Sequence, residues 1–244
     1  MLELKEVKKY YKSQKAVDGI SFTIKKGEIF GLIGSNGAGK STTVSIIATL
    51  LKPNKSSGGE ILFHGINIVK DPGFIRKRLG FVPQKISLYQ NLTGMDNMIF
   101  WGNIYKIPRD ILSQRIRKVC DMVGLSRETL SKRVETYSGG LKRRLNISVA
   151  LLHEPEFLIL DEPTVGIDLI VRNQILDFIK NINNAGTTIL YCSHYMEEIN
   201  QICDTLCIME NGKILLCDDK DKLLYTKGSE RTLENLYYEV LGQG

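Results

Sequence analysis

Ile29-Phe30-Gly31-Leu32-Ile33-Gly34-Ser35-Asn36-Gly37-Ala38-Gly39-Lys40-Ser41-Thr42 is the stretch that decides the fold. A run of mostly apolar residues passes straight into glycines, a lysine and hydroxyls. Continuous rather than alternating apolarity predicts a strand covered on both faces, as in a parallel sheet. From Gly34 to Ser41 the residues fit G-x-x-x-x-G-K-[ST]. Glycines let the backbone turn tightly and aim successive N–H groups at an anion. A helix expected to start near Thr42 adds its positive end. Lys40 offers a point charge to β- and γ-phosphates, and the Ser41 hydroxyl an oxygen ligand for Mg²⁺. With glycine at about 7% of residues, an accidental match in such a chain is on the order of one in a hundred.

Around this P-loop, three more apolar runs read as buried strands. They are Leu79-Gly80-Phe81-Val82, Phe157-Leu158-Ile159-Leu160 and Thr187-Thr188-Ile189-Leu190-Tyr191. Each leads to polar residues: Gln84, Asp161-Glu162 and Ser193-His194. Ligands of open α/β sheets bind just beyond the carboxyl ends of the strands. Downstream of a P-loop, the first carboxylate after a buried strand holds the Mg²⁺ shell. A second carboxylate can polarise water for attack on a γ-phosphate. Ser21–Lys25 alternates, and Gly58–Gly65 reads as turn, strand, turn, so a small antiparallel layer is expected as well.

From about Leu88 to Leu152 the pattern turns helical. Ile111, Leu112, Ile116, Val119, Met122 and Val123 keep a helical period, and Gly124 fits a C-cap. Tyr137-Ser138-Gly139-Gly140 then opens another apolar helical run, a second helix N-terminus with close backbone access. Leu233, Leu236, Tyr237, Val240 and Leu241 predict a C-terminal amphipathic helix packed on its own domain. The expected organisation is a P-loop NTPase (RecA-like) α/β fold. Residues 1–87 form the ATP-binding core with its β layer, and 88–152 an inserted helical subdomain. Residues 153–218 complete the core, and 219–244 form a helical extension.

The chain has 244 residues and a net charge of +6, with 43% hydrophobic and 25% charged residues. These values suit a globular domain. No run approaches the roughly 18 apolar residues of a membrane span, and the N-terminus lacks a signal-like stretch. Any membrane role is expected to come through a partner. Lys142, Arg143 and Arg144, like the basic groups near Lys8 and Arg76, read as solvated surface. Cys120, Cys192, Cys203, Cys207 and Cys217 read as small buried residues of a reducing compartment. Cys203 and Cys207 have the spacing of one helix face. His64 and His153 read as structural.

The order P-loop, Gln84, Ser138-Gly139-Gly140, Asp161-Glu162, His194 resembles the ATPase chains of ABC (ATP-binding cassette) transporters over nearly the whole chain. The resemblance implies a head-to-tail dimer that sandwiches ATP. The nucleotide would lie against Tyr11 and the P-loop residues Gly34, Ser35, Asn36, Gly37, Ala38, Gly39, Lys40, Ser41 and Thr42. Tyr10 is a neighbouring candidate for stacking on adenine. Ser138, Gly139 and Gly140 would close over the γ-phosphate held by the partner, with Asp168 at the interface, where it can also cap a helix. Glu162 matches the general base and His194 the switch histidine. Mg²⁺ would be held by Ser41, Gln84 and Asp161. Two departures stand out, because the family signature usually reads Leu-Ser-Gly-Gly-Gln. Here Tyr137 replaces the leucine and Leu141 the glutamine.

The implied partners are a second ATPase subunit, in a homo- or heterodimer, and an integral membrane permease on a separate polypeptide. The implied place is the cytoplasmic face of the cell membrane, with export favoured over import. No nucleic acid is expected. The runner-up reading is a non-transport ABC ATPase acting on ribosomes or nucleic acid. Such proteins usually fuse two ATPase domains or insert a long coiled coil, and this chain has one P-loop and no such insert. A P-loop kinase or GTPase is disfavoured by Ser138-Gly139-Gly140 together with Asp161-Glu162 and His194.

Overall fold

A computed structural model describes residues 1–12, 14–54, 58–226 and 229–242, the side chains of 226, 229 and 230 aside. The chain opens with two long strands, β1 (Leu2–Tyr11) and β2 (Gln14–Ile24), then β3 (Ile29–Ile33) and α1 (Lys40–Ile47). Next come β4 (Glu60–Phe63), β5 (Ile66–Asn67), α2 (Pro72–Arg76) and β6 (Leu79–Val82). A helical stretch follows: α3 (Gly94–Ile104), α4 (Arg109–Val123), α5 (Arg127–Ser131), a 3-10 turn (Val134–Thr136) and α6 (Gly139–Leu151). After it come β7 (Phe157–Asp161), α7 (Leu169–Asn184), β8 (Thr188–Ser193), α8 (Met196–Ile202), β9 (Thr205–Glu210) and β10 (Lys213–Asp219). The last elements are α9 (Lys220–Leu224), β11 (Tyr225–Thr226), β12 (Ser229–Glu230) and α10 (Leu233–Gly242).

These elements fall into two compact units, Met1–Lys77 with Thr188–Gly244, and Arg78–Thr187. In the first, β2-β1-β4-β5 form an antiparallel sheet. Strand β3 lies between β8 and β9 and runs parallel to both, and β10 is antiparallel to β9. All five residues of β3 and all six of β8 are buried, as continuous apolarity predicts. Helix α10 packs on α8 and α9 through buried Leu233, Leu236 and Tyr237. In the second unit, β6 and β7 are parallel neighbours. Helix α3 starts at a capping box, where Thr93 Oγ1 accepts from the Asp96 N–H and Asp96 accepts from the Thr93 N–H. Helix α4 ends at Gly124, whose φ of 70° is the left-handed cap the sequence suggested.

The expected antiparallel layer is present, and its strands β1 and β2 span 10 and 11 residues. Two expectations need correction. Cys203 and Cys207 do not share a helix face, because Cys203 follows α8 and Cys207 lies inside β9. Four cysteines are buried as expected, and burial pushes the Cys120 thiol up to about 11, but Cys217 is exposed. It stands at the β10 position opposite Cys207.

Candidate nucleotide-binding site

In the first unit the glycine-rich turn joins β3 to α1. Helix α1 begins after Gly39, at φ 109°, with no side-chain cap. A helix start without a side-chain cap suits an anion at its positive end. The carbonyl of Ala16, in β2, lies so close to Gly39 that a Cβ there would overlap it. Lys40 is 6% exposed, and its Nζ donates to Gly34 O at 2.7 Å and Ser35 O at 3.1 Å. The turn is also fastened from outside. Ala38 O accepts from Gly212 N, Gly212 O accepts from Asp18 N, and Ser35 Oγ donates to Glu210 Oε1.

The two tyrosines at the end of β1 separate cleanly. Tyr10 Oη donates to Asp18 Oδ1 at 2.5 Å, and Lys15 Nζ sits 5.6 Å from its ring centre. That hydrogen bond raises the Tyr10 pKa and lowers that of Asp18. Tyr11 also has a lysine over its ring, Lys9 Nζ at 5.4 Å, but at 43% exposure and without a side-chain anchor like that of Tyr10 among the described residues it is the more accessible of the two. At the end of β8, His194 is exposed and its ring leans on Tyr195, with 4.1 Å between centres. Beneath it lies Glu198, 1% exposed, which accepts from Tyr191 Oη at 2.8 Å and Ser193 Oγ at 2.9 Å. Ser193 Oγ accepts from the Tyr195 N–H, so both neighbours of His194 are fixed. The sequence reading passed over Glu198, although its place one turn into α8 was a usable signal.

In the second unit, β7 delivers Asp161 and Glu162 with exposures of 7% and 6%. Glu162 sits at φ 51°, a left-handed backbone that side chains other than glycine adopt at a cost. Gln84 is exposed two residues beyond β6. Ser138 is the N-cap of α6, its Oγ accepting from Leu141 N at 3.3 Å. Ser138 and Gly139 are exposed, whereas Gly140 is buried. A Cβ on Gly140 would stand 2.5 Å from Val171 Cγ1. Val171 N–H in turn donates to Asp168, the N-cap of α7, so Asp168 is tied to the glycine run.

The unusual Tyr137 has a structural reason. It is 6% exposed and its hydroxyl donates to Thr129 O at 2.5 Å, locking α5 beneath the signature turn. Leu141 is half-buried, and nothing in the structure explains its replacement of a polar residue. The basic cluster at 142–144 is not the solvated face expected from the sequence. Arg143 is 4% exposed and donates to Pro83 O and Gln84 O. Arg144 bonds Val123 O and Gln174. His153 is structural as expected, stacked on Tyr105 with Nε2 3.0 Å from Leu79 O.

Comparison with known proteins identifies the family. The sequence pattern of the ABC transporter family matches residues 17–165. The chain is 44% identical to the linearmycin resistance ATP-binding protein LnrL of Bacillus subtilis, over 96% of this chain and 74% of that one. It is 33% identical to the daunorubicin/doxorubicin resistance ATP-binding protein DrrA of Streptomyces peucetius, over 93% and 68%. A solved dimeric ATP-binding cassette in a post-hydrolysis state with ADP and Pi superposes with a TM-score of 0.80 at 26% identity, covering 90% of this chain and 98% of that one. A P-loop, an Asp-Glu pair ending a buried strand and a Ser-Gly-Gly helix start, in a chain so related, have one reading: the protein belongs to the ABC transporter family as an ATP-binding and ATP-hydrolysing subunit.

Proposed function

We propose that this subunit works in a head-to-tail pair, each ATP gripped by one protomer's P-loop and sealed by the other's Ser138, Gly139 and Gly140. The observation that carries this reading is the presence of two glycine-rich helix starts in one chain, of which the second is exposed at Ser138 and Gly139. One triphosphate needs one cradle, so a second anion site on the surface suits a nucleotide bound elsewhere. Leu169 and Ile170, beside Asp168, are 62% and 73% exposed, which suits a partner covering that edge.

Within each site, the 34–39 turn and Lys40 hold the phosphates, with Ser41 and Thr42 at the positive end of α1. Tyr11 stacks on adenine. Ser41, Gln84 and Asp161 offer hydroxyl, amide and carboxylate oxygens, the hard donors that Mg²⁺ prefers, and Asp161 is buried at a strand end. Mg²⁺ held there would supply neutralisation of the triphosphate's charge. Glu162 orients water and accepts its proton, and His194 donates to the γ-phosphoryl oxygens.

The motor drives a separate integral membrane permease from the cytoplasmic face. Residues 88–152 act as the helical subdomain that carries the signature turn, between core segments 1–87 and 153–218, with 219–244 as an extension. A cavity of about 880 Å³ among α3, α4 and α5, lined by Met95, Ile99, Leu112 and Ile116, offers an apolar seat for a permease helix. Among the described residues no helix is long and apolar enough to cross a membrane. The antibiotic-resistance relatives support export as the direction.

The test is Glu162→Gln. ATP affinity is expected to stay within about twofold while hydrolysis falls by about 10²–10⁴-fold, leaving an ATP-bound dimer visible by sedimentation. Near-normal turnover would remove Glu162 from the base role.

A further inference from the structure

We propose that Arg143 and Asn146 are positioning residues that fasten the glutamine loop to the signature helix, so that Gln84 and Ser138 move as one body. The inference rests on the roles just given to Gln84 and Ser138 and adds the part that joins them.

Both side chains project from α6 three residues apart, hence on one face of the helix. That face also carries Gly140 and Ile147, both buried. Arg143 and Asn146 are 4% and 5% exposed. The Arg143 guanidinium spreads over two consecutive carbonyls, Nη1 to Pro83 O at 3.0 Å and Nη2 to Gln84 O at 2.8 Å. Asn146 Oδ1 accepts from Ser87 N at 3.2 Å. The far end of the segment is held by fully buried Asn97, which takes both the N–H and the C=O of Tyr89.

A planar fork across two backbone carbonyls fixes orientation as well as distance. These are the carbonyls of Gln84 itself and of the residue before it, so the fork sets where the glutamine side chain leaves the backbone. Ser138 caps the same helix about 7 Å away along its axis, and a helix transmits displacement over that length as a rigid rod. A shift of Gln84 on nucleotide binding is thus carried to the turn that faces the partner's ATP, and the reverse holds equally. Nothing in this arrangement places Arg143 in contact with nucleotide.

The experiment is a double-mutant cycle on the full chain, with Arg143→Met, Gln84→Ala and the double variant, reading kcat and the KM for ATP separately. Residues that act through a shared contact couple by about 2- to 150-fold. Arg143→Met is expected to lower kcat about tenfold at nearly constant KM, within that range. The double variant is expected to match Gln84→Ala alone within about twofold. Arg143→Lys, which keeps the charge without the fork, should restore less than half of the loss. Should Arg143→Met fail to fold, Asn146→Ala takes its place in the same cycle. The proposal is overturned if the two losses multiply in the double variant, or if KM rises in step with the fall in kcat. A Gln84→Ala variant with unchanged kcat would instead overturn the role of the glutamine, and the fastening with it.

Discussion

The two glycine-rich helix starts, α1 and α6, look alike in sequence and differ in structure. At α1 the turn is closed around itself: Gly39 is left-handed and pressed by Ala16 O, Lys40 is buried across the loop, and no side chain caps the helix. At α6 the start is open: Ser138 and Gly139 are exposed, and Ser138 caps the helix with its own hydroxyl. The first is a turn fastened on several sides, shaped to suit an anion at the start of α1. The second is exposed and self-capped, and in the proposed dimer it forms one wall of a site. On the proposed reading, the difference teaches that the same chemistry, backbone N–H groups at a helix end, serves two purposes according to what encloses it.

Substitutions can break or sharpen this contrast. Gly39→Ala should have the largest effect, because its φ of 109° excludes a side chain and Ala16 O blocks the space. A loss of about 1–3 kcal/mol of stability is expected, with ATP affinity reduced, measured by thermal melting and titration. Ser138→Ala removes a cap and should cost about 1 kcal/mol, without change in single-chain ATP affinity. Gly139→Ala meets nothing closer than Ile167 Cδ1 at 3.5 Å, so stability should change by less than about 0.5 kcal/mol. Equal losses at Gly39 and Gly139 would erase the distinction between closed and open starts.

A smaller effect concerns pH. Burial holds the His153 imidazole below its ordinary pKa of 6.5, so the folded unit keeps the ring neutral. The unfolded chain binds more protons below pH 6.5, and stability therefore falls as pH drops through that value toward the folded pKa. His153→Gln should flatten this dependence in melting curves between about pH 7 and pH 5. An unchanged acid slope would assign it to other groups.

Much of this was legible in the chain. The P-loop, the four buried strands and the helical stretch follow from apolar periods punctuated by glycine and charge. The length of β1 was not, although Leu2 and Leu4 alternate with Glu3 and Lys5. Glu6, at φ 50°, and register shifts beyond Leu4 break the period before it becomes persuasive. Strand β9 was hidden because Cys203 and Cys207 fit a helical spacing as well as a strand. Arg143 was misread because charge favours solvent as a prior, and the acceptors that bury it lie 59 and 60 residues away. Its helical spacing from Gly140 and Ile147 was the available hint. The candidate site residues were legible as types at strand ends, but the buried groups behind them, Glu198 and Asn146, were not, since only tertiary contact selects them.

The most direct test of the shared nucleotide uses two crippled proteins in the Glu162→Gln background. One carries Lys40→Ala, with a spoiled cradle and an intact signature turn. The other carries Ser138→Arg, with an intact cradle and a blocked turn. Each alone should remain monomeric in MgATP. Mixed, they should form a heterodimer holding one ATP, resolved by native mass spectrometry, because one good cradle then meets one good turn. ATP-dependent dimers of the Ser138→Arg protein by itself, or a mixture that stays monomeric, would contradict the shared site.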